Sequence, residues 1–287
     1  MIDDIFAKFD GAFAKNTIRA YRSDFNQYQN WCLQNNLEPI PATADTMATY
    51  VDYLSQTNKS ATIRRRINSL GTVLKLSKNH DPTKQPEVML ALKRMHRKIG
   101  RAQGQATPLT KTLLNQLLNN CDNSIMGIRN QVLLRLGYET MRRRSELCSF
   151  KFEDIACAHN GKPIIRLNFS KTDQFGTGKF LPISEELLTL IEKWKGIVDC
   201  EGYILRSINK HGHIGDSLNP ASISTILKKL QEGLKSGSKQ QPLSGHSFRV
   251  GAALDLLEQG EPLEKIMLRG GWQTDSTAMK YLRNWAF

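Results

Sequence analysis

The sequence predicts a mainly α protein with one small antiparallel β-sheet, arranged in two parts. Three observations lead there. Apolar residues recur at three- and four-residue spacing over most of the 287 positions. Between Phe150 and Ser184 that period gives way to short apolar bursts with turn residues between them. The stretch GRAQGQATP, residues 100–108, is rich in Gly, Gln and small residues and ends in Pro, as a linker does.

The first helix lies in KNTIRAYRSDFNQYQNWCLQNN, where Ile18, Tyr21, Phe25, Tyr28 and Cys32 share one face. Asn36, Pro39 and Pro41 end it. A second helix carries Met47, Tyr50, Val51 and Leu54, a third Ile63, Ile67, Leu70 and Leu74, and a fourth Val88, Leu92, Met95 and Ile99. Four amphipathic helices make a small bundle over residues 1–101. After a linker at 102–108, helices are expected at about 110–120 and 124–139. Strands follow at about 152–157, 163–169 and 179–183, with HNGK and DQFGTG as turns. Helices resume from 184, with breaks near 201–218 and 235–245, so the second domain is 109–287.

The formal charge is +13, from 40 Lys plus Arg against 27 Asp plus Glu. A protein this basic most often meets a polyanion, and nucleic acid leads the list. The charge is clustered. Lys59, Arg64, Arg65, Arg66, Lys75 and Lys78 form one run without an acid, and Lys93, Arg94, Arg97, Lys98, Arg101 and Lys111 another. Arg64, Arg65, Arg66, Lys93, Arg94, Arg97, Lys98 and Arg101 are the candidate DNA contacts; a solvated basic face is the alternative for each. Five widely spaced cysteines without a C-x-x-C suit a reduced compartment and no structural zinc. MIDDIFAKFDGAF is not a signal peptide, and no stretch approaches the roughly 18 apolar residues of a membrane span. The expected location is the cytoplasm, in the compartment where DNA or RNA is found.

Four short stretches carry chemistry. YETMRRRSELCSF, residues 138–150, sets Arg142, Arg143 and Arg144 in an apolar frame, where each would be costly without an anionic partner. LSGHSFRVGAALDLLEQG reads as a helix opened by Ser244 or Ser247, with His246 and Arg249 three apart on one face near its start. A helix N-terminus with His and Arg is a good seat for phosphate. Gly270 and Gly271 end a helix before Trp272, and a new helix near Thr274 or Asp275 carries Ala278, Tyr281 and Leu282. Taken singly, H-x-x-R is a weak signal and a Tyr on an apolar face is ordinarily core.

Together and in order, R-x-S-E-L, a Lys on a hairpin, H-x-x-R, G-G-W and a Tyr near the C-terminus resemble the tyrosine recombinase (phage integrase) family. SGHSFRVGAALD, GGW and MKYLRN are most similar to its Cre-like branch, and the resemblance spans roughly residues 12–285. It implies a helical core-binding domain and a catalytic domain that close on DNA as a C-shaped clamp. It also picks Arg143 as the catalytic arginine, two before Ser145–Glu146, which helical phase could not do. Arg142 and Arg144 are then accessory phosphate contacts or surface charges.

The implied activity is site-specific recombination through a 3′-phosphotyrosine and a Holliday junction. Tyr281 is the nucleophile, and Arg143 and Arg249 clamp the non-bridging oxygens. Trp272 adds a neutral donor, and His246 takes the phenol proton. Lys171, in FSKTD, protonates the leaving 5′-oxygen, with Lys179 as its rival on the opposite strand. Glu146 supports a neighbour. No cofactor, metal or ATP is called for; His211 and His213 sit in a Gly-rich loop as surface residues.

The expected partner is double-stranded DNA with inverted repeats, bound by a homodimer and, at synapsis, a homotetramer. Six residues follow Tyr281, so the family's further C-terminal helix is expected to be missing or reduced to a stub with Trp285 and Phe287 as anchors, and Tyr281 to act in its own subunit. No further domain is expected before the bundle, which fits a simple recombinase on a short site, beside the nucleoid of a prokaryote or in a phage or plasmid setting. The alternatives are a type IB topoisomerase-like relaxing enzyme and a recombinase-derived DNA-binding regulator without activity.

Overall fold

A computed structural model describes residues 2–102, 104–170, 178–198, 200–234 and 241–283. The chain divides into two compact units, Met1–Gly104 and Gln105–Phe287. No described helix is long and apolar enough to cross a membrane.

In the first unit, α1 (Ile2–Ala7) precedes the four expected helices, α2 (Lys15–Gln34), α3 (Ala44–Leu54), α4 (Ser60–Leu76) and α5 (Pro86–Ile99). The sequence pattern predicts no element before residue 15. α1 exists because Phe6 and Phe9, three apart, bury their rings edge to face at 5.5 Å. α2 stops where Asn36 takes a left-handed φ of 55°, a conformation that Asn tolerates better than most residues. α3 is capped by Thr43, whose hydroxyl accepts from the Thr46 amide at 3.1 Å. The predicted faces meet in one core containing Phe25, Tyr28, Met47, Val51, Ile63, Ile67, Leu70, Leu74, Val88 and Met95. Ile99, on the last turn of α5, remains exposed.

Among the described residues that core holds one buried charge. Asp24 on α2 is 1% exposed, and its carboxylate accepts from Arg65 Nη2 at 2.9 Å, with Arg66 Nε at 3.9 Å. Two of the three arginines expected on a DNA-facing surface are thus engaged by a buried acid, Arg66 the more enclosed. Arg64 is exposed and, among the described residues, has no carboxylate partner. Lys93, Arg94, Arg97, Lys98 and Arg101 are all exposed; Arg94 pairs with Asp52 at 3.3 Å on the surface, where such a pair is weak.

The second unit is built around α7 (Ile125–Thr140). Its Ile128, Val132, Leu133, Leu134 and Leu136 are all buried, so this helix is surrounded by protein. α6 (Lys111–Asn119), α8 (Arg144–Leu147), α9 (Glu185–Lys195), α10 (Ser222–Glu232), α11 (Gly245–Glu258), α12 (Leu263–Gly270) and α13 (Asp275–Leu282) complete the helices. α11 crosses α7 at Gly137, where a Cβ would come within 2.7 Å of the Phe248 ring. Only glycine permits that approach.

The sheet has the order β1–β2–β3 and is antiparallel, with β1 at Ile155–Cys157, β2 at Pro163–Leu167 and β3 at Lys179–Pro182. Ile165 pairs with Ile155 and Leu181, and Ile165 and Leu181 are buried. The β1–β2 turn is the expected one, with Gly161 at φ 77°. The first strand is shorter than predicted. Phe152–Asp154 forms a 3₁₀ turn because the Asp154 carboxylate accepts from the Lys151 amide at 2.8 Å. Most of the expected DQFGTG turn lies outside the described residues.

Candidate active site

The site starts from the way α7 ends. Met141, fully buried, takes the left-handed conformation at φ 53°, ψ 33° and stops the helix. A non-glycine residue there is strained unless its surroundings fix it. The reversal sends three successive arginines into three environments. Arg142 points inward and is 3% exposed. Arg143 caps α8, and its Nη1 donates to Glu146 at 2.8 Å while its amide donates to the same carboxylate at 3.2 Å. Arg144 is exposed and reaches the Ser224 hydroxyl at 3.2 Å. Arg142 is therefore neither a surface charge nor free to touch DNA, which corrects the expectation for that residue. Its Nε donates to the Thr140 carbonyl at 2.7 Å and its Nη2 to the Arg269 carbonyl.

Glu146 is 4% exposed. Burial alone would raise its pKa, but the hydrogen bonds from Arg143 and the charges of Arg143 and Arg142 outweigh it and hold the carboxyl below its ordinary value. A depressed acid stabilises the fold above its unfolded pKa and loses that contribution as pH falls through the folded one. Glu146→Gln should therefore lower unfolding stability at pH 7 by about 1–3 kcal/mol. The gap to wild type should close as pH drops below about 4. Denaturant melts at both pH values test this; equal midpoints at pH 7 would remove the carboxylate from the account.

α11 begins at Gly245, and the Ser244 amide donates to the Ser247 hydroxyl at 2.9 Å. One turn on, Arg249 is 0% exposed. Its Nη1 donates to the Met141 carbonyl at 2.6 Å and its Nη2 to the Gly270 carbonyl at 3.0 Å. Its guanidinium carbon lies 5.1 Å from the Trp272 ring centroid and 5.4 Å from that of Tyr281. The two rings are 4.7 Å apart, tilted by 32°. Arg249 Nε and Trp272 Nε1 are both buried without a hydrogen-bond partner. Two such donors against one tyrosine ring are costly in the empty protein and suit an anionic ligand.

His246 is exposed at the start of α11. Desolvation by the surrounding protein, then the charges of Arg249, Arg144 and Arg143, push its pKa below the ordinary imidazole value. Burial likewise lowers the pKa of Arg249, partly offset by the Tyr281 hydroxyl. Lys171 lies outside the described residues. Its rival Lys179, on β3, donates from Nζ to the Leu268 carbonyl at the end of α12. Desolvation and then the nearby Arg142 lower its pKa.

One polypeptide unit thus gathers Arg143, His246, Arg249, Trp272 and Tyr281 with Glu146 behind them. Residues 107–286 match the model of the phage integrase family, and residues 8–77 that of its N-terminal SAM-like domain. The chain belongs to the phage integrase family. It is a tyrosine recombinase, an enzyme of site-specific DNA recombination. The recombinase Cre of Escherichia phage P1 is 27% identical over 292 residues, covering 95% of this chain and 85% of Cre. An integrase/recombinase XerD homologue of Selenomonas ruminantium is 27% identical over 281 residues, covering 94% of this chain and 82% of its own. Among solved structures, a lambda integrase (75–356) dimer bound to a COC′ core site superposes with a TM-score of 0.69 at 15% identity, covering 97% and 92% of the two chains. A lambda integrase tetramer bound to a Holliday junction gives 0.68 at 14%, covering 98% and 75%.

In this recombinase the feature that sequence reasoning missed is Arg142. The apolar frame around three arginines signalled that one would be enclosed, but not which. The left-handed turn at Met141 decides it, and nothing in the spacing announces that turn.

Proposed function

We propose that this recombinase cuts and rejoins DNA strands through a 3′-phosphotyrosine on Tyr281. The observation that carries the reading is the pair of buried, unpartnered donors, Arg249 Nε and Trp272 Nε1, with the Tyr281 ring against both side chains. The phenol oxygen attacks the scissile phosphorus, a new P–O bond forms, and the bond to the 5′-oxygen breaks. The phenol proton passes to His246, and Lys171 protonates the departing 5′-oxygen. Arg143 and Arg249 clamp the non-bridging oxygens, and the Trp272 N–H adds a donor. Glu146 holds Arg143. Attack by the 5′-hydroxyl of another strand reverses the step, and exchange between two sites passes through a Holliday junction.

The partner is double-stranded DNA with inverted repeats, bound by a dimer and recombined by a tetramer. The lambda integrase dimer on its core site and the tetramer on a junction support that assembly by analogy. In the bundle, Arg64, Lys93, Arg97, Lys98 and Arg101 are the phosphate contacts we favour, because each is exposed and, among the described residues, without a carboxylate partner.

Covalent trapping tests the reading. Nicked duplexes from the protein's own replicon are incubated with it, denatured, and the DNA-linked peptide is sequenced by mass spectrometry. The expected adduct is Tyr281 joined to a 3′-phosphate; an adduct elsewhere, or binding without an adduct, would overturn it. A pH profile tests His246. At limiting DNA the acid limb of cleavage should lie below about 6.5, since the limb reports the free enzyme. His246→Gln should remove that limb. A limb above that value, or one that survives the substitution, would exclude His246 as the base.

A further inference from the structure

The C-termini of α7 and α12 turn their last carbonyls toward one another. Both ends carry partial negative charge, and of their last carbonyls Leu268 also accepts from the Gly271 amide at 3.3 Å. Cations fill the space between them. On the α7 side, the Glu139 carbonyl accepts from Arg269 Nε at 3.2 Å, Thr140 from Arg142 Nε at 2.7 Å and Met141 from Arg249 Nη1 at 2.6 Å. On the α12 side, the Leu268 carbonyl accepts from Lys179 Nζ, Arg269 from Arg142 Nη2 and Gly270 from Arg249 Nη2. Arg142 and Arg249 are therefore adjacent rungs between the same two backbone segments. One joins Thr140 to Arg269, the other Met141 to Gly270.

The Arg142 rung is tightly enclosed. Gly271 lies against it at φ 67°, and a Cβ there would come within 2.7 Å of Arg142 Nη1. Burial, then the neighbouring Arg249, lowers the Arg142 pKa to about 10. A structural tie alone would not require a desolvated cation beside another cation. A site that must stabilise a highly charged phosphoryl transition state gains from both the geometry and the charge.

We infer that Arg142 is a positioning residue for strand transfer: its rung sets the spacing of the two carbonyls that aim Arg249, and its charge lies behind that guanidinium. The inference rests on the assignment of Tyr281 as nucleophile. It predicts a defect that depends on the charge of the reacting phosphate, which a purely structural role would not produce.

The test compares two nicked duplexes carrying the site recovered by trapping. One has the natural phosphodiester at the cleavage position. The other has a methylphosphonate, in which a methyl group replaces one non-bridging oxygen and removes the negative charge. Arg142→Met fills the volume without the charge or the donors. It should bind either duplex within about threefold of wild type but cleave the phosphodiester about 10- to 100-fold more slowly, the loss that follows when a partner orienting a metal-ligating side chain is removed. On the methylphosphonate the deficit should shrink to about threefold or less. Wild-type cleavage of the phosphodiester, or an equal deficit on both substrates, overturns the inference. If Arg142→Met does not fold, Arg142→Lys decides: it keeps the charge but cannot span two carbonyls. A loss on the phosphodiester that is relieved on the methylphosphonate supports the ladder, and wild-type rates in Arg142→Lys overturn it. If the wild-type protein forms no Tyr281 adduct on either duplex, the nucleophile assignment fails and takes this inference with it. A normal wild-type adduct with an unimpaired Arg142→Met overturns this inference alone.

Discussion

Tyr281→Phe is expected to abolish strand cleavage and leave DNA binding within about threefold of wild type, because it removes the one oxygen that attacks the phosphorus. The phenylalanine ring keeps the 4.7 Å contact with Trp272 and the guanidinium of Arg249 over its face. α13 also keeps Ala278 and Leu282, which are buried in the same cluster. Stability should change little. Cleavage should fall by about 10⁴-fold or more, since no other hydroxyl can replace a positioned nucleophile. A gel assay for the covalent complex, run beside a binding isotherm and a thermal melt, separates these terms. Residual adduct at another residue would move the nucleophile, and lost binding would make Tyr281 a DNA contact.

Arg249→Ala should show a different signature, with cleavage and stability lost together. The side chain is 0% exposed and links the Met141 and Gly270 carbonyls. Removing it strands two buried acceptors, each costing about 1–3 kcal/mol. It also deletes a transition-state clamp, for which about 10³-fold or more in cleavage is expected. Arg249→Lys keeps a charge but cannot fork to both carbonyls and a phosphate, so it should recover part of the stability and little of the rate. The rate must be expressed per DNA-competent molecule, measured by active-site titration with labelled duplex. Cleavage within about tenfold of wild type in Arg249→Lys would contradict a forked clamp on the phosphate. The contrast with Tyr281→Phe is the useful part: one group is needed for chemistry alone, the other also holds the site together.

Both variants bear on the Met141 turn, because the Met141 carbonyl is one of the two that hold Arg249. The strain of its left-handed backbone is offset by burial of the side chain and by that hydrogen bond. The candidate site is therefore built from helix ends, where carbonyls and amides are unpaired, and not from helix middles.

Much of this was legible in the residue pattern. Ile18, Tyr21, Phe25, Tyr28 and Cys32 announce α2 by spacing, and His246 and Arg249 share a face because they are three apart on α11. Gly270–Gly271 marks the end of α12, and Gly271 is its left-handed cap. These are local facts, fixed by periods of two and 3.6 and by the conformational freedom of glycine. The order of motifs then carried the family and the activity.

Charge was read less well, because its partners are remote. Arg65 and Arg66 looked like part of a free basic face, yet their carboxylate is Asp24, 41 residues before Arg65. Arg142 looked like an accessory phosphate contact or a surface charge, yet it is held by a carbonyl 127 residues away, and Arg249 by one 108 residues away. By itself the sequence determined the helices from α2 onward, the existence of the small sheet and the order of the motifs. Only the tertiary structure decided where each arginine points. Apolar spacing specifies a face, whereas the destination of a buried cation depends on which helix end the fold brings to it.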